Sequence, residues 1–288
     1  MSNTIFLLLM LAAFGHAIWN GIARRIPERD TFFTLILMTA VILYFPLALW
    51  LAQTHPIPSQ AWPWIGASTL FELFYFATLA KAYQSSSFLT AYPLARGSAP
   101  VFATVLSLAL TGESVSLTGL VGIGLVSLGI LWISQPSFSL TNRFTSLRNP
   151  GTLWALLTGA CTASYSVADS VGAKLMSPIL FKYIVFIGIV LGKLLYDKGT
   201  RVAGSYFQLV KAYPKSTFTG GMLIFGVNAI IVFALQTTPV AYVSATRETS
   251  IVFAMLIGRI WLHESLGWVK VLAIASIVVG ILTIKVSA

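Results

Sequence analysis

Charge is what this sequence most lacks. Only 9% of its 288 residues are Asp, Glu, Lys or Arg, against 57% apolar residues and a mean hydropathy of +0.86. A soluble domain normally carries about 25% charged residues. So little charge cannot coat a water-facing surface, so the outer solvent must be lipid and a separate soluble domain is excluded. Cysteine is nearly absent: Cys161 stands alone inside an apolar stretch. A lone thiol forms no internal disulfide, and no Cys/His cluster points to a metal or cofactor. Cys161 reads as a small core residue. Also missing are a Walker A motif and any HExxH, GxSxG, DxxD or HxxxxD cluster, and the three histidines are dispersed. Direct ATP hydrolysis is therefore excluded, and no nucleophile, base and metal ligands converge as a membrane enzyme would need. No filter-like motif or ring of like charge favours a channel over a carrier. The first residues, MSNTIFLLLMLAAFGHAIWNGIA, lack a basic leader and an A-x-A site, so they are expected to be a retained first span.

What is present is long apolar runs. Crossing the hydrocarbon core takes roughly 20 such residues per helix, which leaves room for about ten helices and little else. The expected spans are 4–23, 32–52, 63–82, 87–110, 117–134, 151–170, 178–196, 216–235, 238–260 and 267–285. The runs are continuously apolar, without the alternation of lipid-facing strands, so an all-α integral membrane protein is predicted over a barrel. Residues 135–150 are the expected boundary between a first five-helix half, 1–134, and a second, 151–288. Residues 197–215 form another long loop, basic and partly amphipathic (Tyr206, Phe207, Leu209, Val210), and fit the membrane interface. The net charge of +10 has no basic, aromatic-interleaved stripe to bind nucleic acid; it sits in short loops and at helix ends. Loops after spans one, three, five and seven hold Arg24, Arg25, Arg29, Lys81, Arg143, Arg148, Lys198, Arg201, Lys211 and Lys215, while the other side has little beyond Lys174 and Lys285. The excess of positive charge in cytoplasmic loops then predicts odd-numbered loops inside and both termini outside, in a plasma (inner) membrane.

The two halves repeat one another. Arg96-Gly97-Ser98, Val101-Phe102-Ala103, Gly112-Glu113-Ser114 and Gly129-Ile130-Leu131 recur as Arg247-Glu248-Thr249, Val252-Phe253-Ala254, His263-Glu264-Ser265 and Gly280-Ile281-Leu282 at matching intervals. Ala17-Ile18-Trp19-Asn20 and Ala163-Ser164-Tyr165-Ser166 open the halves alike. Five spans per half is an odd number, so equivalent helices cross in opposite directions, the inverted repeat common in secondary transporters. Duplication kept only for stable packing is the alternative. This pattern resembles the EamA-domain proteins of the drug/metabolite transporter superfamily over nearly the whole chain. His16 through Asn20, Tyr165 through Asp169 and Arg247 through Ser250 look like a branch described only as permeases. The resemblance implies a ten-helix basket around a central cavity and export or exchange of metabolites, amino acids or drugs. The small four-helix multidrug relatives carry a proton-coupling glutamate in helix one, where this sequence has His16 and Asn20.

Ionisable groups at mid-membrane depth are expensive and usually face the bundle interior. Arg96 and Arg247 are repeat mates, about nine residues into their spans. Either they form two guanidinium forks for a carboxylate, phosphate or phosphonate, or each pairs with a buried acid such as Glu72 or Glu248 and orients helices. Glu248 points about 100° away from Arg247 around a helix, so its partner is expected on another helix. Glu72, in Phe71-Glu72-Leu73-Phe74-Tyr75, is read as a proton carrier or a static salt bridge. Asp169 is read as a third coupling candidate or as an interfacial residue close to Lys174. Trp19, Asn20, Tyr165 and Ser166 offer aromatic faces and hydrogen bonds for a cavity, or else interhelical packing. His16, one turn before Asn20, could titrate near neutrality, and Asn228 has the same two readings. Pro93, Pro100 and Pro239 can bend the arginine-bearing helices. Gly119, Gly122, Gly124, Gly129, Ala275, Ser276 and Gly280 give the last span of each half a face for close packing. Glu113 and Glu264, in turns before spans five and ten, are expected to cap.

Together these features predict a secondary carrier moving a small organic solute, with a preference for an anionic group, driven by solute gradient or proton exchange. The expected partners are the lipid bilayer, the solute and protons, with monomer and homodimer both open. An integral-membrane enzyme, or a non-transporting structural or receptor protein, is the alternative.

Overall fold

A computed structural model describes residues 1–86, 88–133, 150–200, 205–261 and 267–287. The expected boundary loop, with Arg143 and Arg148, lies outside the described residues, as do Arg201 and the His263-Glu264-Ser265 turn. Every element found is helical: α1 (Asn3–Arg24), α2 (Arg29–Thr54), a 3-10 turn (Ser59–Ala61), α3 (Trp62–Ser85), α4 (Phe88–Leu110), α5 (Leu117–Ile133), α6 (Pro150–Leu175), α7 (Pro178–Thr200), α8 (Ser205–Ala212), α9 (Pro214–Ala234), α10 (Val240–Arg247), α11 (Thr249–Trp261) and α12 (Trp268–Ser287).

The helix starts follow local chemistry. The Ser2 hydroxyl accepts the Ile5 N–H at 3.2 Å and caps α1. Prolines open α6, α7 and α9, where a missing N–H costs nothing. After α4 the chain leaves the helix through Gly112, whose φ of 65° suits glycine. α8 occupies part of the expected interfacial segment, burying Leu209 and leaving Phe207 exposed.

Among the described residues, seven stretches are long and apolar enough to cross a membrane, which is fewer than the ten expected from sequence. Three expected spans fall short for physical reasons. α5 has only 17 residues. α3, of 24 residues, carries Glu72 and Lys81, and α6, of 26, is rich in Gly, Thr and Ser besides Asp169 and Lys174, which lowers their hydropathy. The expected single span 238–260 is two helices that together make a 21-residue apolar stretch. At its break, the Glu248 N–H bonds to Ala245 and the Ile251 N–H to Glu248, so the backbone tightens to three-residue spacing beside a buried charge. By contrast, α4 runs unbroken through Pro93 and Pro100.

The chain is inside-out relative to a soluble protein. Leu7, Ile42, Leu117, Leu195 and Val286 stand exposed on the outside, while Lys182, Asp169, Glu248, Arg96 and Arg247 are buried. A large apolar exterior of this kind needs an apolar solvent. The described residues thus form a helical, multi-pass membrane protein.

Helix packing repeats between the halves. α1 lies on α9 and α11, and α6 lies likewise on α3 and α4; α2 packs on α9 as α7 packs on α3. The pairs α5–α12, α2–α7 and α4–α10 each join one helix to its own repeat counterpart. The α5–α12 contact is the most intimate at the backbone. A methyl group on Gly122 would sit 2.8 Å from the Gly280 carbonyl oxygen, and one on Gly280 would sit 2.6 Å from that of Gly122. The Ser276 hydroxyl donates to the Leu125 carbonyl at 2.8 Å across the same seam. Small residues let two helices meet this closely without a hydrophobic driving force between them. Gly280→Leu is expected to push α5 and α12 apart and cost on the order of 1–3 kcal/mol from overpacking. A lowered thermal unfolding midpoint in detergent would register it. Gly124→Leu, where nothing lies within 4 Å of an added methyl, should leave that midpoint close to wild type.

Candidate functional site

Helical spacing assembles the polar interior. Ser68 and Glu72 are four apart on α3, and Tyr165 and Asp169 are four apart on α6, so each pair shares a face. α3 and α6 pack together, and α7 packs on both, bringing Lys182 to them from its second turn. The Lys182 ammonium is fully buried. It donates to Asp169 Oδ2 at 2.7 Å and, in a very short contact, to Glu72 Oε1. The Ser68 hydroxyl donates to the other Asp169 oxygen at 2.6 Å. Both Asp169 oxygens are thus engaged, whereas Glu72 uses one. Two carboxylates face a single ammonium.

A second group lies on α4 and at the α10–α11 break. Arg96 Nε is 2.9 Å from Glu248 Oε2, so the acid does pair with a different helix. The N–H is not aimed along that line, however, and neither Glu248 oxygen receives a well-directed hydrogen bond. The contact is Coulombic. An Arg96 terminal nitrogen donates to the Ser250 hydroxyl at 3.2 Å. Arg247, the repeat mate of Arg96, is held differently. It donates to the Tyr165 hydroxyl at 3.1 Å, and among the described residues no carboxylate comes within ion-pair distance of it.

Tyr165 joins the two groups. Besides accepting from Arg247, its ring centroid lies 5.9 Å from that guanidinium and 5.5 Å from the Lys182 ammonium. The ring meets Tyr75 of α3 edge-on at 6.2 Å. Arg96, Arg247, Glu248, Tyr165, Glu72 and Asp169 therefore form one interior constellation.

Trp19, Asn20, Ser166 and Asn228 make none of these contacts. Trp19 is buried and packs edge-on against His16 and Phe33, its indole N–H unpartnered. The Asn20 and Asn228 amides donate to carbonyls on their own helices, those of His16 and Ile224. The Ser166 hydroxyl likewise bonds the Thr162 carbonyl. Two expectations need correction. Asp169 is not an interfacial neighbour of Lys174; it is 2% exposed and paired with Lys182, because it faces α3 and α7. Lys174 instead pairs with Glu113 at 3.3 Å. Nor does Glu113 cap the helix that follows it. Its other oxygen accepts the Val240 N–H at 2.8 Å, capping α10 in the opposite half. The corresponding expectation for Glu264 lies outside the described residues.

Sequence reading missed Lys182, the most buried cation of all. The signal was there: a lysine inside the run Phe181-Lys182-Tyr183-Ile184-Val185-Phe186 is as costly in lipid as the arginines that were flagged. Ser68, which holds Asp169 beside it, carries no mark in the sequence.

Breaking a buried pair from one side strands the charge left behind, at roughly 3–5 kcal/mol. Lys182→Met strands two, so it is expected to abolish monodisperse protein in detergent. Adding Glu72→Gln and Asp169→Asn should restore the monodisperse peak, since neither acid of the Lys182 group is then left as a stranded charge. Size-exclusion profiles of the two variants make the comparison.

The family model for the EamA-like transporter family matches twice, over residues 3–135 and 149–286. No curated protein matches the chain. A solved structure described only as the crystal structure of a protein superimposes with a TM-score of 0.68 at 16% identity, covering 98% of this chain and 96% of that one. That likeness speaks to the fold alone. With both halves matched, the chain belongs to the EamA-like transporter family, a group of membrane transporters within the drug/metabolite transporter superfamily.

Proposed function

We propose that this protein is a secondary carrier that moves a small organic solute with an anionic group by alternating access. The observation that carries the reading is Arg247. Its repeat mate Arg96 has a carboxylate beside it, while Arg247 has only a phenol, so one buried guanidinium keeps capacity for a ligand's carboxylate, sulfonate or phosphate. Tyr165 and Tyr75 supply aromatic surface next to it. Glu72, Asp169 and Glu248 are the acidic groups on which a coupled proton could travel.

The architecture proposed for this cycle is ten crossing helices in two inverted halves, 1–134 and 151–288, around a central cavity. α3 and α6 rise about 36 and 39 Å, ample for a core about 30 Å thick, and α5, at about 25 Å, fits the short end of the spanning range. The paired packing of equivalent helices supports the two-fold arrangement. Two bundles of opposite sense can rock about a midplane site between forms of nearly equal energy. In a plasma (inner) membrane, odd-numbered loops would face the cytoplasm and both termini the outside. A reporter active only in the cytoplasm, fused after Ala288, should then stay silent; activity there would reverse the orientation.

Charged hydrogen bonds are each worth about 1.5–3 kcal/mol, or roughly 10- to 100-fold in affinity. In vesicles reconstituted with purified protein, Arg247→Gln is expected to raise the KM for anionic solutes by that factor, and Arg247→Lys by less. A metabolite profile of cells lacking or overproducing the protein supplies the solutes to try. Unchanged transport in a folded Arg96→Gln/Arg247→Gln double variant would remove both arginines from the mechanism.

A further inference from the structure

Among the described residues the interior contains three cations, Arg96, Arg247 and Lys182, and three anions, Glu72, Asp169 and Glu248. With every group ionised the constellation is neutral. Its parts are not. Arg96 and Glu248 cancel locally, whereas the Lys182 group holds one negative charge in excess and Arg247 supplies the compensating positive one across the Tyr165 ring. A monoanion seated on Arg247 uses up that compensation. The lipid-enclosed interior is then left with one uncancelled negative charge, an expensive state at this depth.

Resting on the anion-carrier reading, we propose that each monoanionic substrate is accompanied by one proton, carried on Glu72, with Lys182 and Asp169 as the fixed pair that sets this stoichiometry. The geometry selects among the carboxylates. Asp169 has both oxygens engaged, by Lys182 and Ser68, and is the more deeply buried. Glu248 belongs to a locally neutral pair and is 1% exposed. Glu72 has one oxygen with no hydrogen-bond partner among the described residues and, at 13% exposed, is the least enclosed of the three. When the anion seats on Arg247, a proton from water on the entry side adds to the Glu72 carboxylate, which loosens its hold on Lys182. Both leave together on the far side, so one anion and one proton cross and no net charge moves.

The surroundings of Glu72 contain no other group suited to this role. Its own helix adds Tyr75 and, nearer its end, Lys81. Tyr165 of α6 lies against Tyr75, and Arg96 and Tyr92 of α4 and Arg247 of α10 stand in the same polar interior. On α7, Lys193 lies three turns beyond Lys182, over the Phe76 ring. α1 brings His16 to the arginines. α2 and α9 carry their charges only in their first turns, at Arg29 and Asp30 and at Lys215. Tyr165 is the positioning residue that ties the anion site to the proton site.

The test uses radiolabelled benzenesulfonate in proteoliposomes of the full-length protein. This probe stays ionised at every working pH, so any proton that moves with it must ride on the protein. The expected result is accumulation of about tenfold per unit of inward acidic pH gradient, with no response to a potassium–valinomycin potential. An enclosed pH dye should count one proton per anion, a measurement that needs no variant. Glu72→Gln is expected to transfer the response from the pH gradient to the potential. Wild-type uptake that follows the potential and ignores pH would overturn the proposal. So would a pH response that survives Glu72→Gln, or one that Glu248→Gln alone removes. In those cases loss of uptake in Arg247→Gln would leave the carrier reading standing. No uptake of the probe at all, or uptake indifferent to Arg247, would remove the anion reading and this one with it.

Discussion

A lysine ammonium with no exposure to solvent is the constraint around which this bundle is built. In water the Lys182 charge would be solvated at no cost; in a helix bundle within lipid it must find anions, and it finds them on two other helices, Glu72 on α3 and Asp169 on α6. The contact therefore fixes the rotation of all three helices about their axes. It also crosses the internal repeat, since α3 belongs to the first half and α6 and α7 to the second. Apolar packing alone is weakly directional between helices surrounded by lipid tails. A buried charge triad is not: a helix turned by one residue, 100°, would leave an ion stranded.

The halves match in packing yet differ in chemistry where they meet. Arg96 and Arg247 are equivalent positions, but the next residue is Gly97 in one copy and Glu248 in the other. That single difference gives the second copy a carboxylate, and the carboxylate lies against the first copy's arginine. It also falls where the backbone leaves regular α-helical spacing, which separates α10 from α11. One arginine is paired as a result and its mate is not. A symmetric pair could only be two ion pairs or two arginines without a carboxylate; the broken symmetry provides one of each.

Much of this was legible in the sequence because lipid imposes simple rules. Apolar run length predicts most of the helices, and the Arg–Glu–Gly intervals predict the repeat. The rules failed where helices face each other instead of lipid. The runs 63–82 and 151–170 are read as spans, and α3 and α6 are helical there, but their lower hydropathy does not say which face of each carries the interior acids. Asp169 looked interfacial because it lies near the end of an apolar run, yet α6 continues as far as Leu175 and keeps it inside. Asn20 and Ser166, flagged as repeat mates, bond to their own backbones; sequence adjacency to Tyr165 or Trp19 says nothing about which way a hydroxyl or amide turns. Lys182 was readable from cost alone, but its partners, 13 and 110 residues away, were not.

The ends of the bundle show a further departure from symmetry. At one end Glu113 caps α10 and pairs with Lys174, the Tyr242 hydroxyl accepts the Ser116 N–H at 3.0 Å, and Gln236 donates to the Ala173 carbonyl at 3.0 Å. Tyr242 fits there because Gly119 has no side chain in its path. These contacts tie the turn of the first half to α6 and α10 of the second. The interval that relates Arg96 to Arg247 carries Tyr242 onto Ala91, Ser116 onto Gly267 and Gly119 onto Lys270. None of those three can rebuild the tyrosine bond: alanine has no hydroxyl, glycine has no side chain, and lysine fills the space that glycine leaves open. The contacts that tie this end therefore have no repeat-related copies, so the two halves do not equip the two ends alike. Under the proposed alternating access, an inequality of that kind would bias which side the empty protein faces, and the proposed charge balance at Arg247 and Glu72 would decide what must be bound before it turns.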